Sequence, residues 1–224
     1  MNLKDLIKPQ DGIAVYNGDK SPCRDIPALE VSLVSCNSRE NLRDAVFVAI
    51  KGAQADGHAF IQDAIRRGAK AVVFEDKRRI NADAFSPDPG CGAVLIQVPD
   101  SKSAMVEMAQ AFYGYPSRLF DVTGITGTNG KTTVSYLLES VVLAAGKTPA
   151  VIGTVNYRFK DKIITSVNTT PGLVELQRLF REMADAGVTH LAMEVSSHAL
   201  DQGRVAGINF SSAVFTNLTQ DHLD

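Results

Sequence analysis

The sequence predicts an α/β protein of two domains, the second a P-loop-type parallel sheet, and three features carry that expectation. Short apolar runs alternate with amphipathic helical patterns, the order that builds parallel sheets covered on both faces. The breakers of residues 113–117 (YGYPS) divide the alternation into two series, so the domains are placed at 1–116 and 117–224. The second series opens with DVTGITGTNGKTT, residues 121–133, an apolar strand running into glycines and then a helix. A length of 224 residues exceeds most single cores and agrees with two domains.

In the first series, residues 45–50 (AVFVAI) read as a buried strand ending at Lys51 and Gly52. Residues 59–67 follow a helical period, with Phe60, Ile61, Ala64 and Ile65 on one face and Gly68 as the stop. Strands are expected at 71–74 and 93–98, then a helix capped by Ser101 with Met105, Met108, Ala109 and Phe112 inward. In the second series, a strand at 122–126 leads to a helix at 132–145 with Leu137, Leu138, Val141 and Val142 inward. A strand follows at 150–155, and residues 156–164 form a hairpin or an extended excursion. Thr170 is expected to cap the next helix, with Pro171 at its first position. Its stripe is Leu173, Leu176, Leu179, Phe180 and Met183, and Gly187 closes it. Strands at 190–195 and 213–216 complete the series.

Composition excludes several classes. With 45% hydrophobic and 21% charged residues the chain is ordinary for a soluble globular protein. A net charge of −2 offers no basic field for nucleic acid. Cys23, Cys36 and Cys91 are an odd set without C-x-x-C spacing, so neither a disulfide framework nor a zinc site is indicated. The N-terminus lacks the apolar core of a signal peptide, and no run approaches the ~20 apolar residues of a membrane helix. The expectation is a soluble, cytoplasmic protein with no nucleic-acid or membrane partner, a monomer by default because the sequence does not give the oligomeric state.

A strand that ends in glycines and feeds a helix aims backbone N–H groups and the helix dipole at one point. Gly127 and Gly130 permit tight turns, Lys131 supplies a charge for terminal phosphates, and Thr132 offers a hydroxyl to Mg²⁺. The strict pattern G-x-x-x-x-G-K-[ST] fails, because position 125 is isoleucine. A dinucleotide fingerprint is disfavoured, since the glycines run G-x-x-G-x-x-G and a lysine follows. The structural alternative is a plain turn with a surface lysine. The Gly-Lys-Thr-Thr ending favours a nucleoside triphosphate on Gly127, Thr128, Asn129, Gly130, Lys131, Thr132 and Thr133. Glu194, at the end of an apolar strand, suits a hard cation, against the bland reading of a surface carboxylate.

GITGTNGKTT resembles the nucleotide loop of the Mur ligases, where G-T-N-G-K-[ST] replaces the strict pattern. Asn168-Thr-Thr-Pro171, Met193-Glu-Val-Ser-Ser-His-Ala-Leu200 and Phe215-Thr-Asn-Leu-Thr-Gln-Asp-His-Leu-Asp224 look like the members that add the third stem-peptide residue. SRENLRDAVFVAIKGAQADGHAFIQDAIRRGAKAVV is similar to the family's uridine-nucleotide domain. The resemblance implies an ATP-dependent amide ligase of peptidoglycan precursor synthesis, with ATP as co-substrate and Mg²⁺ as cofactor. It implies transfer of meso-diaminopimelate or L-lysine to UDP-N-acetylmuramoyl-L-alanyl-D-glutamate through an acyl phosphate. It gives Lys131 a catalytic role, makes Thr132, Glu194 and His222 metal ligands, and assigns acceptor contacts to Asn168, Thr169, Thr170, Ser196, Gln202 and Arg204. Ser38, Arg39, Ala53, Gln54 and Ala55 correspond to uridine-diphosphate contacts, although Ala53 stands where some relatives carry histidine. The family continues past position 224 into the rest of the central domain and an amino-acid-binding domain, so this chain is expected to be a fragment, inactive alone. Two alternatives stay open: another ligase of the Mur and folylpolyglutamate group, or a non-catalytic nucleotide-binding module.

Overall fold

The alternating apolar runs close into two separate sheets. The computed structural model describes residues 1–7, 12–17, 21–52, 55–80 and 93–219, which form two units, Met1–Phe112 and Tyr113–Asp224. Among the described residues no helix is long and apolar enough to cross a membrane.

The first unit runs α1 (Leu3–Leu6), β1 (Ala14–Tyr16), β2 (Pro22–Cys23), β3 (Leu33–Ser35), β4 (Ala45–Val48), α2 (Ile61–Arg66), β5 (Ala71–Phe74), β6 (Val94–Gln97) and α3 (Ser101–Phe112). Its sheet has the order β2-β1-β6-β5-β4-β3. Strands β3 to β6 are parallel, and β1 and β2 extend them antiparallel. Every residue of β4 and β5 is buried, which is why they read as unbroken apolar runs rather than alternating ones. Leu42, Phe47, Ile61, Val72, Phe74 and Leu95 form one core.

One expectation holds with a shifted start and one fails here. The predicted helix at 59–67 begins as a 3₁₀ turn, Gly57–Phe60, and Phe60 lies 39% exposed. Ser101 does not cap α3. Asp100 does so, its Oδ1 accepting from the N–H groups of Lys102 and Ser103. Ser101 is instead buried, donating N–H and Oγ to Glu75 Oε1 at 2.8 and 2.9 Å.

The second unit runs β7 (Asp121–Thr126), α4 (Lys131–Ala144), β8 (Pro149–Ile152), β9 (Asn156–Phe159), β10 (Lys162–Thr165), α5 (Leu173–Asp185), β11 (His190–Glu194), α6 (Ser197–Asp201) and β12 (Ser212–Phe215). Its order is β10-β9-β8-β11-β7-β12. Strands β8, β11, β7 and β12 are parallel, whereas β9 and β10 form an antiparallel hairpin beside β8. The sheet is therefore mixed. Alternation along the strands sends Val122, Ile152, Leu191 and Met193 to the α5 face, against Leu176, Phe180 and Met183. Ile125, Val151 and Ala192 face the other way, against Val134 and Leu138 of α4.

The α4 stripe differs from expectation. Leu137 is 60% and Val141 64% exposed, because the helix turns its Val134, Ser135 and Leu138 side to the sheet. Thr170 is not the cap of α5, whose N-cap is Gly172. Its buried hydroxyl serves Glu194 instead.

Parallel register positions the site. Ile125 pairs with Glu194, Ile152 with Met193, and Thr126 with Phe215. The loops leaving β7, β8, β11 and β12 thus emerge at one edge, the carboxyl-end crevice where open α/β sheets bind ligands.

Candidate functional site

The glycine loop between β7 and α4 is held from behind by the segment after β12. Gly127 has φ 125°, and a Cβ there would meet Thr216 Oγ1 at 2.3 Å and Asn217 O at 2.7 Å. Only glycine fits this approach. Thr128 N–H donates to Asn217 O at 3.1 Å. Asn217 clamps Asn129 twice, accepting its N–H on Oδ1 and donating Nδ2 to its carbonyl, both at 3.1 Å. Thr128 Oγ1 donates to Thr219 O and accepts Thr219 N–H. The N–H groups of Thr128 and Asn129 are therefore spent on the brace.

The donors that remain belong to the helix start. Gly130 caps α4 at φ 87° without a side-chain hydrogen bond. The first intrahelical bond runs from Val134 N–H to Gly130 O. The N–H groups of Lys131, Thr132 and Thr133 precede it, as orphan donors at the positive end of the dipole. Lys131 folds over the loop, its Nζ donating to Gly127 O at 2.6 Å and Thr128 O at 3.0 Å.

Glu194 lies 1% exposed and collects hydrogen bonds from two segments. Thr132 Oγ1 donates to Oε2 at 3.1 Å. Thr154, just after β8, donates its N–H to Oε1 at 3.3 Å and its Oγ1 to Oε2 at 2.9 Å. A hydroxyl that gives its proton to the carboxylate keeps its lone pairs for a cation. Among the described residues no group of three or more His, Cys, Asp or Glu could hold a metal. The oxygen pair of Thr132 and Glu194 fits an ion that completes its shell with phosphate and water, as Mg²⁺ does.

The loop before α5 meets the same carboxylate strand. Thr170 Oγ1 donates to Glu194 O at 2.9 Å and accepts Ser196 N–H at 3.1 Å. Ser196 caps α6 through Ala199 N–H. Arg204 Nη1 donates to Thr170 O at 2.9 Å, while its Nε and Nη2 both reach Gln202 Oε1. Asn168 O accepts the hydroxyl of Tyr157, a phenol that burial pushes above its ordinary value, so it stays a donor. Thr169 Oγ1 lies 3.1 Å from Thr154 Oγ1.

Family matches cover both units. Residues 125–224 match the Mur ligase middle domain, and residues 30–113 match the Mur ligase family catalytic domain. The chain belongs to the Mur ligase family. It is 46% identical over all 224 residues to the UDP-N-acetylmuramoyl-L-alanyl-D-glutamate–2,6-diaminopimelate ligase of Geobacter sulfurreducens, covering 41% of that protein. To the ligase of the same name from Geobacillus thermodenitrificans it is 43% identical, covering 42%. A solved Mur ligase of that name superposes over 87% of this chain and 38% of its own, with TM-score 0.68 and 27% identity. MurF from Acinetobacter baumannii, 20% identical over 93% of this chain and 39% of its own, shares the fold at TM-score 0.56. The chain thus spans about two fifths of the length of the curated Mur ligases it matches.

The structure gathers Gly127 to Thr133, Glu194, Asn168 to Thr170, Ser196, Gln202 and Arg204 within the second unit. Ser38 and Arg39 lie in the turn after β3, and Ala55 follows β4, the parallel neighbour of β3. Ala53, Gln54 and His222 lie outside the described residues. Sequence reasoning missed Gly153, Thr154, Thr216, Asn217 and Thr219. Asn217 stood inside a quoted motif without a role. Thr154 had no signal beyond following a glycine at a strand end.

Proposed function

We propose that this chain carries the ATP and acceptor sites of a ligase adding meso-diaminopimelate to UDP-N-acetylmuramoyl-L-alanyl-D-glutamate. The observation that carries the reading is convergence at one strand edge. Thr132 of the glycine loop bonds Glu194 Oε2, and Thr170 of the acceptor loop bonds Glu194 O. The names of the relatives support diaminopimelate over lysine. The glycine loop would take ATP on the N–H groups of Lys131, Thr132 and Thr133, with Lys131 swinging from its loop carbonyls to the terminal phosphates.

A free carboxylate resists amines because oxide is a poor leaving group. In the proposed reaction an oxygen of the acceptor's D-glutamate carboxylate attacks the γ-phosphorus, giving an acyl phosphate and ADP. The amine of diaminopimelate then adds to the carbonyl, and phosphate leaves as the amide forms. Lys131 and the helix-start amides hold the phosphates in line. Thr169, Thr170, Ser196, Gln202 and Arg204 hold the dipeptide, while Ser38, Arg39, Ala53, Gln54 and Ala55 hold the uridine diphosphate. Mg²⁺, held by Thr132, Glu194 and His222, would neutralise charge on the transferring phosphoryl group. ATP and a UDP-linked precursor are cytoplasmic metabolites, so the reaction is assigned there.

Isothermal titration tests this reading. The chain is expected to bind both Mg²⁺·ATP and UDP-N-acetylmuramoyl-L-alanyl-D-glutamate at one site each. Folded protein that binds neither contradicts both assignments.

A further inference from the structure

Three hydroxyls and one carboxylate at the second-unit edge form a continuous chain, and its central member has no assigned role. Thr154 grips both oxygens of Glu194, N–H on Oε1 and Oγ1 on Oε2. Rotation about the last torsion of a glutamate is otherwise broad, so two donors from one residue set the plane of the carboxylate. Gly153 makes the seat. A Cβ on it would stand 2.2 Å from Oε1 and 2.8 Å from Cδ of Glu194, so any side chain there would push the carboxylate away. On its other side Thr154 meets the acceptor loop twice. Its Oγ1 lies 3.1 Å from Thr169 Oγ1, and its carbonyl accepts Ser166 Oγ.

We propose that Thr154 is a positioning residue that sets the Glu194 carboxylate for a divalent cation and links that carboxylate to the acceptor contact Thr169. This rests on the ligase reading above. Each hydroxyl has one proton. The Thr154 proton goes to the carboxylate, so Thr169 donates to Thr154 and turns its lone pairs outward. Thr169 then recognises a donor, such as a peptide N–H of the acceptor, rather than a carboxylate. Cation and acceptor share the hydrogen-bonded chain Glu194–Thr154–Thr169, so each should raise the affinity of the other by the same factor.

The test measures Mn²⁺ binding to the 224-residue chain by electron paramagnetic resonance. It is run with saturating ATP, with and without UDP-N-acetylmuramoyl-L-alanyl-D-glutamate. Thr154→Val keeps the shape and backbone N–H but removes the hydroxyl, and Thr154→Ser restores it. Thr154→Val is expected to weaken Mn²⁺ about 10-fold, the scale of one hydrogen bond to a charged group, and to abolish the gain on adding acceptor. Thr154→Ser should stay within about twofold on the same scale. Wild-type Mn²⁺ affinity and coupling in Thr154→Val overturn the proposal, as does a serine variant as impaired as valine. If Thr154→Val fails to fold, Thr154→Ala carries the same two expectations. Wild-type protein that binds no Mn²⁺ with ATP overturns the ligase reading itself, a result distinct from any variant effect.

Discussion

The two units present their candidate loops at strand ends, yet they commit their side chains differently. In the second unit, residues 132, 154 and 170 come from three segments and converge on Glu194. In the first unit, the turn carrying Ser38 and Arg39 is tied locally. Ser35 Oγ donates to Glu40 and accepts Asn37 N–H, while Asn37 Oδ1 accepts Arg39 N–H. Its long-range polar centre lies elsewhere, where buried His58 donates Nδ1 to Asp56 and accepts Glu75 N–H on Nε2, with Arg79 also on Asp56. One edge is a network joined through a single glutamate. The other is a turn held by bonds between near neighbours in sequence.

The largest test of that contrast is Lys131→Ala. It should cost about 100-fold in ATP affinity, near the upper end for losing a hydrogen bond to a charged group, while leaving UDP binding within experimental scatter. Calorimetry with both ligands reads it directly, and equal loss of both would merge the two sites.

Gly127→Ala comes next. Strain at φ 125° and the 2.3 Å approach to Thr216 should cost about 1–3 kcal/mol, seen as a lower midpoint in urea. Asn217→Ala removes both bonds to Asn129 and should cost about 1–2 kcal/mol. Faster amide exchange over residues 127–130 would report the loosened brace.

The first unit is expected to answer to acid. Burial alone would raise the Asp56 carboxyl, but hydrogen bonds from His58 and Arg79 outweigh it and hold the group at about 2 instead of 3.8. A depressed carboxylate stabilises the fold above its unfolded value and loses that contribution as pH falls from 3.8 toward 2. Melting curves of Asp56→Asn should show a shallower drop across that window than the parent. The smallest effect belongs to Leu137→Gln and Val141→Gln. Both side chains are exposed, so each change should stay within about 0.5 kcal/mol.

Those last two residues show where sequence reading ran out. Residues 137 and 141 keep helical spacing with 134 and 138, so periodicity alone could not decide which flank meets the sheet. Strands β4 and β5 were legible because burial on both faces demands unbroken apolar runs. Strands β1, β2 and β3 are two or three residues long, too short to show a period. The glycine loop was legible because its chemistry is consecutive in sequence. Thr154 and Asn217 were not, since the fold brings Thr154 to Glu194 across 40 residues and Asn217 to Asn129 across 88. Thr170 carried two readings, a helix cap and an acceptor contact. The structure gives its hydroxyl to the Glu194 backbone, which removes the first.

Hydrogen–deuterium exchange with UDP and with Mg²⁺·ATP, added separately, tests the two-site account most directly. UDP should protect residues 36–39 and 51–56 and leave 127–133 unchanged, whereas Mg²⁺·ATP should do the reverse. Protection of 127–133 by UDP, or of the first-unit loops by ATP alone, would contradict it.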